Sequence, residues 1–569
     1  MSGTQLEQGA RLALGEFASA VEERMQALVR ARFADRLLAR DDSLWGDDAA
    51  RRSVARNRLG WVDSPARMRR NLDTFAPLVE GARSRGVRSV LLLGMGGSSL
   101  APEVLMRTRA SRPESPALTV LDSTSPEAVR AALAAYDPRT TLVLVASKSG
   151  GTIEVSAFER ACFARAREAF GDDAGQGFVA ITDGGTALEQ LATEQRYART
   201  LTNVLDIGGR YSVLSYFGLA PAALIGIAPA ELCDSALAER EAFRNEGGAA
   251  LAIGAALGTL ALAGRDKLTL ILSPPLAAFG AWIEQLVAES TGKDGRGILP
   301  VDGERLGAPE AYGADRVFVG MSLGDPEPAT SSALDALQAA GHPVIRWQRR
   351  SIEQLGAEFM RWELITAVAG AVIGVDPFDE PNVAEAKAAT KAVLEQVRER
   401  GSFPANPPAA SDGALELHTA PTLAVEGGDA RAWARSLLSL TRPGDYAAIL
   451  AFLQRTDARH AALDRIRHAW RGAVRVATTI GYGPRYLHST GQLHKGGPPT
   501  GVFLQLTVED GDEPIPGEAY GFRTLRDAQA AGDLEVLAKH GLRAVRIHVR
   551  GDLEAGLASL AEAFEAAAS

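Results

Sequence analysis

Between Thr141 and Glu154 the chain reads TLVLVASKSGGTIE, and six of those residues, Ser147-Lys148-Ser149-Gly150-Gly151-Thr152, hold three hydroxyls, one lysine and two glycines. The apolar run before them predicts a buried parallel strand. Phe158, Cys162, Ala166 and Phe170 follow at helical spacing, so Thr152 falls where a helix starts and unpaired N–H groups meet the positive dipole end. A plain capped turn needs only one Ser or Thr. Three hydroxyls with a lysine and Gly-Gly point to an anion cradle for a phosphate group. The nucleotide loop GxxxxGK[ST] is absent. A second turn of this kind, Gly94-Met-Gly-Gly-Ser-Ser99, follows Val90–Leu93 and includes Gly97 and Ser98. On its own it is a weak signal, and a dinucleotide site would want glycine where Ser99 stands, although Asp122 does follow the next strand. Two such turns on successive strands suggest one phosphorylated ligand held from two sides.

The acid–base candidates lie further along. Glu289 ends the apolar helix WIEQLVAE and enters the glycine-rich turn STGKDGRG, where packing can desolvate its carboxylate and raise its pKa toward that of a working base. A salt bridge to Lys293 or Arg296 is the plainer reading. Arg210 follows Gly208 and Gly209, so a tight turn aims its guanidinium beside a cleft; an arginine on the surface is the alternative. Lys387 lies on a helix after Asp376-Pro-Phe-Asp-Glu-Pro381, where an exposed lysine is ordinary. His488-Ser-Thr-Gly-Gln-Leu-His494-Lys495 suits proton transfer better than metal binding, since no carboxylate or cysteine lies at ligand spacing. No metal site is expected. His342, His418, His460, His468, His540 and His548 have no such company and read as structural or surface residues.

The elements that must position these groups alternate strand with helix. That pattern gives an α/β protein: an N-terminal segment at 1–84, helical from about residue 5 to 80, doubly wound units at 85–244 and 245–400, and a small α/β region at 412–569. The break Asn245-Glu-Gly-Gly248 divides the two units. A Pro- and Ala-rich linker, Ser402 to Ser411, precedes the last region. The chain has 569 residues, too many for one core. A formal charge of −9 argues against nucleic acid as a partner. The N-terminal stretch has no continuous apolar run, so neither a signal peptide nor a membrane partner is expected. Two widely spaced cysteines, Cys162 and Cys233, fit a reducing compartment, and a cytoplasmic location is expected.

Taken together, GMGGSSL (94–100), SKSGGTIE (147–154), GGRYSVLSYFGL (208–219), QLVAESTGK (285–293), APEAYGADR (308–316) and GVDPFDEPNVAEAK (374–387) resemble the glucose-6-phosphate isomerase family, in the family's order. The resemblance implies two flavodoxin-like sugar-isomerase (SIS) domains and an enzyme, an aldose–ketose isomerase that interconverts glucose 6-phosphate and fructose 6-phosphate without a cofactor. It implies phosphate contacts from Ser98, Ser147, Lys148, Ser149 and Thr152, with Gly97 and Gly209 beside the substrate. Glu289 would move the proton between C1 and C2, Arg210 would sit by the enediolate, and Lys387 would assist at the ring oxygen. Gly151 stands where the family usually has threonine. The family's ring-opening histidine normally follows the ESNGK-type motif in a segment HSxxQ; here HSTGQLHKGG comes at 488–497, after the lysine segment. That order, with LARDDSLWGDD and DYAAILAFLQ, resembles the isomerase half of fused transaldolase–glucose-6-phosphate isomerases. The partner expected is a small sugar phosphate; a homodimer, or a transaldolase domain on a longer polypeptide, is compatible with the resemblance. SIS domains also occur as non-catalytic phosphosugar-binding modules, which would need the cradle but no base.

Overall fold

The computed structural model describes the chain outside residues 1–3, 6–8, 109–113, 245–247, 404–405, 420–422, 424 and 426. Most of the Asn245–Gly248 break and part of the 402–411 linker therefore lie outside the described residues. Seventeen strands are described: β1 (Thr4–Gln5), β2 (Arg11–Ala13), β3 (Ser89–Gly94), β4 (Ala117–Leu121), β5 (Thr141–Ala146), β6 (Phe178–Asp183), β7 (Arg199–Asn203), β8 (Lys267–Leu272), β9 (Leu299–Val301), β10 (Arg316–Leu323), β11 (Val344–Arg349), β12 (Ala410–Asp412), β13 (Leu415–Thr419), β14 (Tyr446–Phe452), β15 (Ala477–Tyr482), β16 (Gly501–Val508) and β17 (Arg543–Val549).

They form three sheets. The first has the order β4-β3-β5-β6-β7, all parallel. In the second, β9-β8-β10-β11 are parallel and β2 closes the edge antiparallel to β11, followed by β1. In the third, β15-β14-β16-β17 are parallel and β13 and β12 close the edge antiparallel. Within each unit the parallel strands run second, first, third, fourth, the flavodoxin-like order. The strands read as continuous Val, Leu and Ile runs because helices cover both faces: β5 and β6 are buried along their whole length.

Two stretches differ from the sequence expectation. The N-terminal segment is not helical throughout, since Arg11–Ala13 pairs with Val344–Arg346 and extends the second sheet. Three residues carry no usable period, and their partner lies on the far side of the sequence. At the other end of the interdomain linker, Ala410 and Ser411 already belong to β12, paired with Leu417 and Glu416. The C-terminal region carries a six-stranded sheet of its own with the strand order of the first two.

Helix Leu355–Ile373 lies at the centre, with every residue but Ala371 buried. It is mostly apolar all round, as a core helix must be, and two of its three charged residues are paired: Arg361 with Glu239 at 2.7 Å and Glu358 with Arg349 at 2.5 Å. The N-terminal helices clasp it, Trp45 donating its indole N–H to the Ala367 carbonyl at 3.0 Å. Among the described residues no helix is long and apolar enough to cross a membrane, and no group of three or more His, Cys, Asp or Glu is arranged to hold a metal ion. Cys162 and Cys233 are free and buried.

Candidate active site

Ligands of doubly wound sheets bind outside the carboxyl ends of the strands, at the point where strand order reverses. In the first sheet that point lies between β3 and β5, and both polar turns leave the sheet there. From β5 the chain passes through Ser147 to Thr152, with Gly150 at φ +67, into helix Ile153–Phe170. Thr152 precedes this helix without a side-chain cap bond, and its hydroxyl lies 3.0 Å from that of Ser147. Ser149 is exposed. Lys148 turns to the end of β6, where its ammonium meets Asp183 at 2.5 Å. From β3 the chain passes through Gly94 to Ser99, and Ser98 is buried. A Cβ on Gly97 would lie 2.0 Å from the Gly209 carbonyl oxygen. Only glycine allows that approach, and it presses the Arg210 turn against the first loop.

Arg210 is buried and fully engaged. Its Nε donates to Ser290 at 2.8 Å, one terminal nitrogen to Glu380 at 3.0 Å, and the other to the Pro377 and Asp379 carbonyls at 2.8 and 3.0 Å. Burial works against its charge, but Glu289 and Glu380 outweigh it and hold the guanidinium above its ordinary value. Glu289 sits 3.4 Å from Arg210 on helix Phe279–Thr291. Burial raises its proton affinity above the usual carboxylate range, with Arg210 opposing and Glu380 reinforcing. Glu289 pairs with Arg210 and not with Lys293 or Arg296: Lys293 binds Asp379 at 2.6 Å, and Arg296 donates to the Ile373 carbonyl at 2.6 Å.

His488 comes from the third sheet unit, yet it joins this cluster. Its carbonyl accepts from the Gln285 amide at 2.8 Å, and the same amide reaches Glu289 at 3.2 Å. Its Nε2 lies 2.8 Å from Glu154 in the first turn of the helix that follows the Ser147–Thr152 turn. Burial would raise the Glu154 pKa, but the His488 charge and hydrogen bond, with Lys387 further off, bring it below the ordinary value. Gly150, Thr152, Glu154, Lys387, His488 and Gln529 are among the residues lining a cleft of about 550 Å³. Lys387 is exposed on its wall, on helix Pro381–Arg400. His494 is not on the cleft; it is buried against Tyr446, whose hydroxyl lies 2.9 Å from its Nδ1, and burial and Lys495 push its pKa down to about 3.

The structure thus brings Glu289, Arg210 and His488 together with both polar turns. Sequence reasoning passed over Glu154, Gln285, Glu380 and Gln529. Glu154 had a signal: an acid two residues into a helix, on the face shared with buried Phe158 and Cys162. Gln529 had none, because nothing in its own segment points to a residue 375 positions away.

Fold and site define an α/β protein of the SIS class. The family model described as phosphoglucose isomerase matches residues 63–296. The glucose-6-phosphate isomerase of Rubrobacter xylanophilus is 31% identical over 377 residues, covering 57% of this chain and 87% of that one. A probable glucose-6-phosphate isomerase of Methanococcus maripaludis is 28% identical over 360 residues, covering 55% and 80%. Among solved structures, a hypothetical protein from Thermus thermophilus superposes with a TM-score of 0.56 at 23% identity, over 68% of this chain and 99% of that one. A glucose-6-phosphate isomerase from Chlamydia trachomatis gives 0.50 at 20% identity, over 66% and 79%. The chain belongs to the glucose-6-phosphate isomerase family. His488 and Gln529 lie outside the residues that the family model matches.

Proposed function

We propose that the chain is a glucose-6-phosphate isomerase that interconverts glucose 6-phosphate and fructose 6-phosphate through a cis-enediolate. The observation that supports this most is the buried Glu289 carboxylate, held 3.4 Å from Arg210 and joined through Gln285 to the His488 loop. Ring opening comes first: His488, oriented by Glu154, and Lys387 serve the ring oxygen and O1. A carboxylate partner places the imidazole proton on Nε2 and leaves Nδ1 as the nitrogen that exchanges protons. Glu289, its proton affinity raised by burial, then takes the C2 proton and returns it to C1. Arg210, buried beside Glu289, offsets the negative charge of the enediolate. The phosphate end belongs to Ser98, Ser147, Ser149 and Thr152 at the two turns, with Lys148 at their edge and Gly97 and Gly209 close beside the sugar.

The motif order, with HSTGQLHKGG after the lysine segment, supports reading the chain as the isomerase half of a fused transaldolase–isomerase or its stand-alone version, working in the cytoplasm. The test is a coupled assay on fructose 6-phosphate that follows glucose 6-phosphate through NADPH formation. Turnover above the uncatalysed rate is expected; folded protein that binds the sugar phosphate without converting it overturns the reading and leaves a binding module.

A further inference from the structure

The third sheet unit sends more into the cluster than His488. Its helix Phe522–Lys539 lies across the back of the dyad and presents two buried side chains one turn apart, Gln529 and Asp533. The Gln529 amide donates to Glu154 Oε1 at 2.7 Å, the same oxygen that lies 2.8 Å from His488 Nε2. The other end of that amide accepts from the Thr124 hydroxyl at 2.8 Å. The carboxylate only accepts, so it takes the N–H end of Gln529, and the Thr124 hydroxyl anchors the carbonyl end. One turn on, Asp533 meets Lys495 at 2.6 Å and accepts from the Tyr486 hydroxyl at 2.5 Å, so it ties down the chain on both sides of His488.

Resting on the isomerase reading above, we infer that Gln529 is a positioning residue for the ring-opening step: it holds the Glu154 carboxylate in the charged form and rotamer that orient His488. A hydrogen bond donated to a carboxylate favours its ionised state. Both polar ends of Gln529 are engaged within the protein, so it acts through Glu154 and not by touching the sugar. The charged and titratable groups facing Glu154 are His488 from the loop at 485–490 and Lys387 from helix Pro381–Arg400; helix Phe522–Lys539 presents the neutral Gln529.

Without that donor Glu154 takes up a proton at higher pH and gives up its hold on His488. In Gln529→Leu, kcat on fructose 6-phosphate should fall about ten- to a hundredfold with KM changed less than about twofold, and the acid limb of the kcat/KM profile should move up by about one pH unit. Thr124→Val, which keeps the side-chain volume and removes the hydroxyl that anchors the Gln529 carbonyl, should shift the limb in the same direction by less. It also carries the test if Gln529→Leu melts early. A wild-type acid limb in both variants, whatever their kcat, would reduce Gln529 to packing and overturn the inference. The ¹⁵N resonances of the His488 imidazole read the pairing without reference to turnover: the Nε2 signal should lose its hydrogen-bonded character in Gln529→Leu, and an unchanged signal overturns the inference. Wild-type protein inactive on fructose 6-phosphate but with the Nε2 change intact would instead sink the isomerase reading.

Discussion

At Glu289 the fold raises the proton affinity of a carboxylate. Removal from water favours its neutral form, the guanidinium 3.4 Å away favours the charged one, and burial prevails. Glu289→Gln keeps the shape, so binding of a six-carbon sugar phosphate should stay near wild type while turnover drops by about 10² to 10⁴. Deuterium incorporation from solvent at C2 checks this, and exchange at the wild-type rate would assign the base elsewhere. The type of this residue and its apolar helix were legible in the sequence; its partner was not, because Arg210 lies far upstream and reaches Glu289 only once the first unit folds against the second. Glu154 is legible too, as an acid in the first turn of a helix and one turn before the buried Phe158.

At the scale of elements, the Ser147–Thr152 turn is positioned by a fully buried strand and a helix start, and strand, turn and helix were all readable from periodicity. Ser147→Ala with Thr152→Ala should weaken phosphate-bearing ligands far more than their unphosphorylated sugars, by roughly 1.5 to 3 kcal/mol for each charge-assisted bond lost. Calorimetry with inorganic phosphate and with fructose decides: equal affinities in variant and wild type would make the turn purely structural. Strands of three residues, β2, β9 and β12, were not readable, since pairing partners and not local pattern define them. The central helix Leu355–Ile373 carries a further consequence. Glu363 is buried within it, neither carboxylate oxygen is hydrogen-bonded among the described residues, and burial raises its pKa well above 4.5. A group whose folded-state pKa is raised gives its full contribution below its unfolded value and loses it as pH rises through the folded one. The wild type should therefore lose stability, relative to Glu363→Met, as pH rises from about 5 toward alkaline values. At neutral pH the variant should gain about 1 to 3 kcal/mol; urea melts at several pH values check this, and parallel wild-type and variant profiles would show that Glu363 titrates in the folded protein as it does in the unfolded chain.

For the whole molecule, the question is why a third unit is attached to two SIS units. Gln492 bonds the Gly292 carbonyl and the Asn382 backbone at 2.9 Å each, so the short helix after His488 is seated between the Glu289 helix and the Lys387 helix. Near the middle of helix Phe522–Lys539, a Cβ on Gly532 would lie 2.8 Å from the Thr390 nitrogen, which fixes how closely that helix crosses the Lys387 helix. His488→Ala should cost isomerisation of fructose 6-phosphate heavily yet leave C–H exchange on an open-chain analogue nearly intact. Equal losses in both assays, or none in either, would place ring opening with another group. The sequence singled out this histidine for proton transfer; it could not show that Glu154 and Gln529 would be waiting beside it from two different units. The edge strand β2 has a consequence of a different kind. Ala13 pairs with Val344, so a ribosome must deliver more than 330 further residues before the second strand of the chain meets β11, the strand that joins it to the sheet. At a synthesis rate of about 5 to 20 residues per second, that is roughly 15 to 70 seconds during which the N-terminal segment waits while the first sheet, whose strands all lie between Ser89 and Asn203, can already form.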